Sequence, residues 1–172
     1  QLLDTANQRL LIFLRHLRDK YYVDLDDATM ETIMVRAPGH RDTDKYKIIS
    51  AILRDYDPST VMENDPRRGG ETSYNINKGG QLVICLREKV APYRLVDINT
   101  LMYVMLHEVG GHIGSYDVWG HPERFWEVFK FILREAVEAG VYRRVDYTAH
   151  PTVYCGLRLD YQPLDDAGIA DI

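Results

Sequence analysis

The sequence predicts an α+β fold in one domain spanning residues 1–172. Three observations lead there. Several segments place apolar residues at helical spacing. Two β-prone runs flank Lys78-Gly79-Gly80 in the manner of a hairpin. The chain has 172 residues, 45% apolar and 27% charged, which suffices for one core. No internal repeat or low-complexity tract divides it.

Residues 2–21 carry Leu3, Leu10, Leu14, Leu17 and Tyr21 on one helical face and predict an amphipathic first helix. "ETIMVR" reads as a short strand and "APGH" as a turn or loop. "DTDKYKIISAILRDY" opens with a capping signal and keeps Ile48, Ile49, Ile52 and Leu53 together, so a second helix ends before Asp57-Pro58. "MENDPRRGG" reads as a polar loop. In the hairpin that follows, "ETSYNIN" is polar enough for an edge strand and "LVICL" apolar enough for an inner one. Asp97 or Asn99 can cap a helix beginning near Ile98. A further helix starts after His121-Pro122, with Phe125, Trp126, Phe129, Ile132, Leu133 and Val137 as its apolar face and Gly140 as its stop. Beyond Val141 the pattern is loop-like, with one strand at "YCGLRL".

The net charge of −5 is mild and gives no general nucleic-acid footprint. The basic pairs Arg67-Arg68 and Arg143-Arg144 read as solvated loop charges. Cys85 and Cys155 belong to no C-x-x-C pair, and they read as buried free thiols, which favours a reducing compartment. No run is long and apolar enough to span a bilayer and no signal peptide is visible, while a start at Gln1 leaves an upstream anchor open.

The chemistry concentrates in "MLHEVGGHIGSYDVWGH", residues 105–121. His107, His112 and His121 offer three imidazoles, the ligand number of a catalytic zinc site. Glu108 follows the first of them, where the general base of an H-E-x-x-H hydrolase stands. Yet His107 and His112 are five residues apart, which on a regular α-helix splays them by about 140° instead of about 40°. A single π-type turn of about 4.4 residues restores a common face. Gly110 and Gly111, between the histidines, supply backbone freedom for it. His16, His40 and His150 read as surface or structural residues.

The stretch "NTLMYVMLHEVGGH…GHPERFWEVFKFILREAVEAGVY" resembles the WLM family of metallopeptidases, in the versions encoded by large DNA viruses. "GETSYNINKGGQLVICLR" and "DYTAHPTVYCGLRL" share the likeness, so it covers roughly residues 55–160. The resemblance implies a zincin-like domain: a small sheet with an edge hairpin, an active-site helix and a second long helix. It implies a Zn2+ cofactor with ligands His107 and His121 and a catalytic Glu108. The family's second ligand falls on Gly111, and His112 is its replacement. The form H-E-x-x-G-H also occurs in dipeptidyl peptidase III, where it binds zinc.

The function expected from this resemblance is hydrolysis of peptide bonds by zinc-activated water, with Glu108 as base. Kinship with SprT-like proteases, which cleave proteins crosslinked to DNA, adds DNA-associated proteins to the polypeptide substrates expected. The viral likeness adds viral particle components as partners and an intracellular location, in host cytoplasm or nucleus or packaged in a virion. The edge strand is expected to pair with extended substrate. Tyr74 and Tyr154 are candidates for hydrogen bonding to an oxyanion. The alternative function is a structural or virion-associated protein that keeps a zincin fold with a degenerate site. The presence of Glu108, an ionisable base such a descendant has no need of, is the feature that separates the two.

Overall fold

The computed structural model describes residues 1–21, 43–65 and 72–172. The strand expected at "ETIMVR", the turn at "APGH", His40 and the Arg67-Arg68 pair lie outside them.

Helix α1 (Leu2–Tyr21) buries Ala6, Leu10, Phe13, Leu14 and Leu17 at intervals of three and four residues. Leu3 and Tyr21 fall at the margin of that face. Helix α2 (Thr43–Asp55) sets Ile48, Ile49 and Ile52 into the same core. Its end matches the expected stop. Asp57 then accepts from the Ser59 backbone N–H at 2.8 Å and starts a short 3-10 turn, Pro58–Thr60.

Strand β1 (Val61–Glu63) corrects the reading of this stretch as loop. It pairs in parallel with β3 (Gln81–Ile84), which pairs antiparallel with β2 (Tyr74–Ile76) on its other side. The order β1-β3-β2 makes β3 the inner strand and β2 an edge, as the apolar content of the two runs predicts. The hairpin tip is Asn77, Lys78 and Gly79, all with positive φ.

Helix α3 (Ile98–Met105) is capped by Asp97, whose carboxylate accepts from the Thr100 N–H at 3.0 Å. It runs without a break into a π-helix, Leu106–Ile113. Helix α4 (Glu123–Glu138) lies along the π-helix, with Pro122 at its cap position. Gly140, at φ +73°, lets the chain turn back so that the N–H groups of Val141 and Tyr142 reach the Ala136 carbonyl. Val137, expected on the apolar face, is 40% exposed. That face instead takes Val128, Phe131 and Ala136, which continue the stripe on the core side.

The single strand expected at "YCGLRL" is a hairpin, β4 (Thr152–Tyr154) and β5 (Leu157–Leu159). Cys155 and Gly156 form its two-residue turn at φ +49° and +82°. The free-thiol reading is also corrected. Cys85, just past β3, is disulfide-bonded to Cys155 in that turn, with their Cα atoms 6.3 Å apart. Seventy residues separate them in sequence, so only folding brings them together, and the ground for a reducing compartment goes with the free thiols. No helix among the described residues is long and apolar enough to cross a membrane.

Candidate metal centre

The π-helix answers the spacing problem. Five residues of wider winding return His112 to the side of His107, and their ring centroids lie 5.0 Å apart. The loop from Gly114 to Pro122 then carries His121 back to the same point. Its ring lies 5.0 Å from that of His107 and 4.8 Å from that of His112. The three imidazoles present one ligand nitrogen each, all within 4.8 Å of one another.

The two glycines have a second task. A side chain at Gly110 would run into Ile132 of α4, and a Cβ at Gly111 would stand 2.6 Å from the Phe125 ring. Helix α4 therefore lies directly against bare backbone. Position 111 faces that helix. A ligand cannot start there, and His112, one residue on, is the first that reaches the open side.

This donor set fits a zinc ion. His107 Nε2 and His121 Nε2 are 3.0 Å apart, close to the roughly 3.3 Å that tetrahedral bonds of about 2.0–2.1 Å impose. Burial, followed by the neighbouring imidazoles, pushes the pKa of His107 down to about 3. Burial, with His121 and Lys78 adding to it, takes His112 down to about 4. Burial also lowers His121. All three rings are therefore neutral near pH 7, the form a metal binds. Phe125 and Phe129 stand against His107 at 4.9 and 5.2 Å between centroids and keep this side of the site apolar.

Glu108 is buried and lines the same pocket as the histidines. Burial raises its pKa to about 7, and a cation at the imidazoles would draw it down again. Its backbone carbonyl accepts from the Asn75 side chain of edge strand β2 at 3.0 Å, which ties the strand to the helix at Glu108.

The pocket holds about 540 Å³. Tyr103, Val104, Leu157 and Leu159 give it apolar walls, and Trp119, 74% exposed, stands at the rim. Tyr74 lines it from β2 and is exposed. Tyr154 also lines it, but its hydroxyl is committed. It donates to the Cys85 carbonyl at 2.6 Å and lies 2.8 Å from Ser73 Oγ, which itself accepts from the Cys85 N–H. The phenol proton is thus spent on fastening β4 to β3, and the oxyanion task assigned to Tyr154 is corrected to a structural one.

Sequence reasoning missed Asn75, Lys78 and Trp119. Asn75 and Lys78 sit in a hairpin whose register, not its composition, aims them at the helix. Of the histidines expected to be structural, His16 lies 3.4 Å from Glu135, and His150 is exposed. His16, Glu135 and Glu138 form a second cluster. There the Lys20 ammonium already stands between the carboxylates, 2.9 Å from Glu135 and 2.6 Å from Glu138, so the cluster is an ion-pair network joining α1 to α4.

The chain is 37% identical over 101 residues to an uncharacterized protein of Acanthamoeba polyphaga mimivirus, a match covering 59% of this chain and 49% of the relative. It is 30% identical over 110 residues to an uncharacterized protein of Invertebrate iridescent virus 6, covering 63% of this chain and 58% of the relative. Both relatives are viral proteins, and the chain spans about half the length of these curated relatives. No protein-family model matches the chain, and no solved structure matches it.

Proposed function

We propose that this domain is a zinc-dependent metallopeptidase of zincin type, similar to the WLM and SprT-like proteases. One observation carries the reading: His107, His112 and His121 converge through a π-helix on a pocket that also holds a buried Glu108. Zinc held by the three imidazoles would supply Lewis acidity to a scissile carbonyl and to the water that attacks it.

The protein's own groups do the rest. An extended polypeptide lies along β2, whose outer edge carries no strand among the described residues, and adds to the sheet by backbone hydrogen bonds. Tyr74 offers a phenol on that side. The apolar walls of the pocket take a substrate side chain and exclude water from around Glu108. Glu108, buried in the pocket beside His107, accepts the proton of the attacking water and passes it to the leaving amine. Proteins bound to DNA and components of a viral particle are the substrates and partners this reading favours.

The test is metal analysis of the purified protein together with cleavage of unfolded and DNA-linked protein substrates. Stoichiometric zinc with cleavage supports the proposal. Zinc without cleavage of any of them favours the structural alternative, a virion-associated protein that has kept the fold and the site.

A further inference from the structure

The loop that delivers His121 has no regular structure of its own, yet it must place that imidazole to within tenths of an ångström. Its backbone is gathered by one side chain. Lys78 Nζ donates to the carbonyls of His112, Ser115 and Val118 at 2.9, 2.7 and 2.5 Å. The same ammonium stands 4.9 Å from the centre of the Trp119 ring. These contacts run from the second imidazole to two residues before the third.

The first carbonyl belongs to the last turn of the π-helix, where carbonyl groups run out of in-helix donors, and the other two belong to the chain beyond it. A lysine ammonium has three protons and no acceptor, which matches three carbonyls. Its placement costs backbone strain. Asn77 and Lys78 have φ of +52° and +49°, a region that side chains other than glycine rarely occupy. The tip is held in that shape from inside, because Asn75 Oδ1 accepts from the Gly79 N–H at 2.7 Å while its Nδ2 donates to Glu108. The hairpin is thus fixed to the metal-site helix at the base and at the second ligand.

We propose that Lys78 is a positioning residue, which sets His121 against His107 and His112 by gathering the carbonyls of the loop between them. The proposal rests on the metal-site reading above. Lys78 is not one of the three candidate ligands, although it also lines the pocket. It acts through the backbone, in the manner of groups behind a ligand shell, whose loss typically weakens metal affinity about 10–100-fold.

The fold contains its own control. Lys130 Nζ donates to the carbonyls of Asp166 and Ile169 at 3.0 and 2.8 Å, the same chemistry away from the histidines. The experiment measures Zn2+ and Co2+ affinity by chelator competition, and the visible spectrum of the Co2+ form, in the unaltered protein, Lys78→Met, Lys130→Met and the milder Lys78→Gln, whose amide still serves part of the carbonyl set. Lys78→Met is expected to lose affinity about 10–100-fold with a changed Co2+ spectrum, and Lys78→Gln to lose less. Lys130→Met is expected to lower stability and leave affinity and spectrum alone. If Lys78→Met fails to fold, Lys78→Gln decides by the same readouts. Unaltered protein that binds metal, with Lys78 variants that bind it equally well, overturns the inference and leaves the metal site standing. Unaltered protein that binds neither ion overturns both.

Discussion

The Nε2 atoms of His107 and His121 lie 3.0 Å apart although fourteen residues separate them in sequence. Two neutral imidazoles gain little from such an approach beyond one hydrogen bond, whereas a shared cation stabilises both. The first expected outcome is one zinc per chain by elemental analysis. The double variant His107→Ala/His121→Ala should retain less than a tenth of it. Stoichiometric zinc in that variant would move the metal elsewhere.

Glu108 follows His107 directly in the π-helix and so takes a different bearing from the candidate ligands. Glu108→Gln keeps the shape and removes the basicity. Cleavage should fall about 10²–10⁴-fold, with zinc content unchanged. Loss of zinc in Glu108→Gln would make the carboxylate a ligand.

Gly111 tests why the second candidate ligand is residue 112. A methyl group there meets the Phe125 ring at 2.6 Å and must push α4 outward. Gly111→Ala should cost about 1–3 kcal/mol by denaturant unfolding, and weaken zinc binding as well, since α4 follows directly on His121. A Gly111→Ala protein with unchanged stability and affinity would show that the contact is slack.

Acid should destabilise the metal-free protein. His107 and His112 have folded pKa values of about 3 and about 4, below the ordinary value of 6.5. The unfolded chain therefore binds more protons than the folded one through this window. Their stabilisation is fully present above pH 6.5 and is lost progressively as pH falls from 6.5 through the folded values near 4 and 3. Glu108, raised to about 7 by burial, opposes this with one group against two, since its protonated form gains as pH falls from 7 to 4.5. The denaturant midpoint should drop between pH 7 and 4.5, and drop less in His112→Asn. An equal or larger drop in His112→Asn would count against the neutral, buried histidine.

The Cys85–Cys155 bond ties the β4–β5 hairpin, which lines the pocket through Leu157 and Leu159, to the inner strand. Mass analysis after alkylation without reduction should find no modified cysteine. Reduction should lower stability by roughly 2–4 kcal/mol. Two alkylated thiols in the unreduced protein would remove the bond.

The sequence by itself determined the elements whose cause is local. Apolar spacing places α1, α2 and α4, because a helix repeats every 3.6 residues whatever it packs against. Asp97 or Asn99 marks the start of α3, the structure choosing Asp97, and Lys78-Gly79-Gly80 marks the hairpin. The interval from His107 to His112 pointed to a widened, π-type turn if the two imidazoles were to share one face, and the structure has it. Tertiary structure decided what depends on contacts distant in sequence. Val61–Glu63 is a strand because β3 lies beside it, and its own residues carry no such signal. Cys85 meets Cys155 because the β4–β5 hairpin folds back over β3. Gly110 and Gly111 look like hinges in sequence and are helix-packing surfaces in space, because only α4 reveals what a side chain there would strike. Tyr154 looks like a free phenol until Ser73 and Cys85 take up its hydroxyl. Lys78 reads as a turn residue until the register of the hairpin aims it at three carbonyls beyond the π-helix. A side chain's type is written in the sequence, but its partner is set by the packing of elements far apart along the chain.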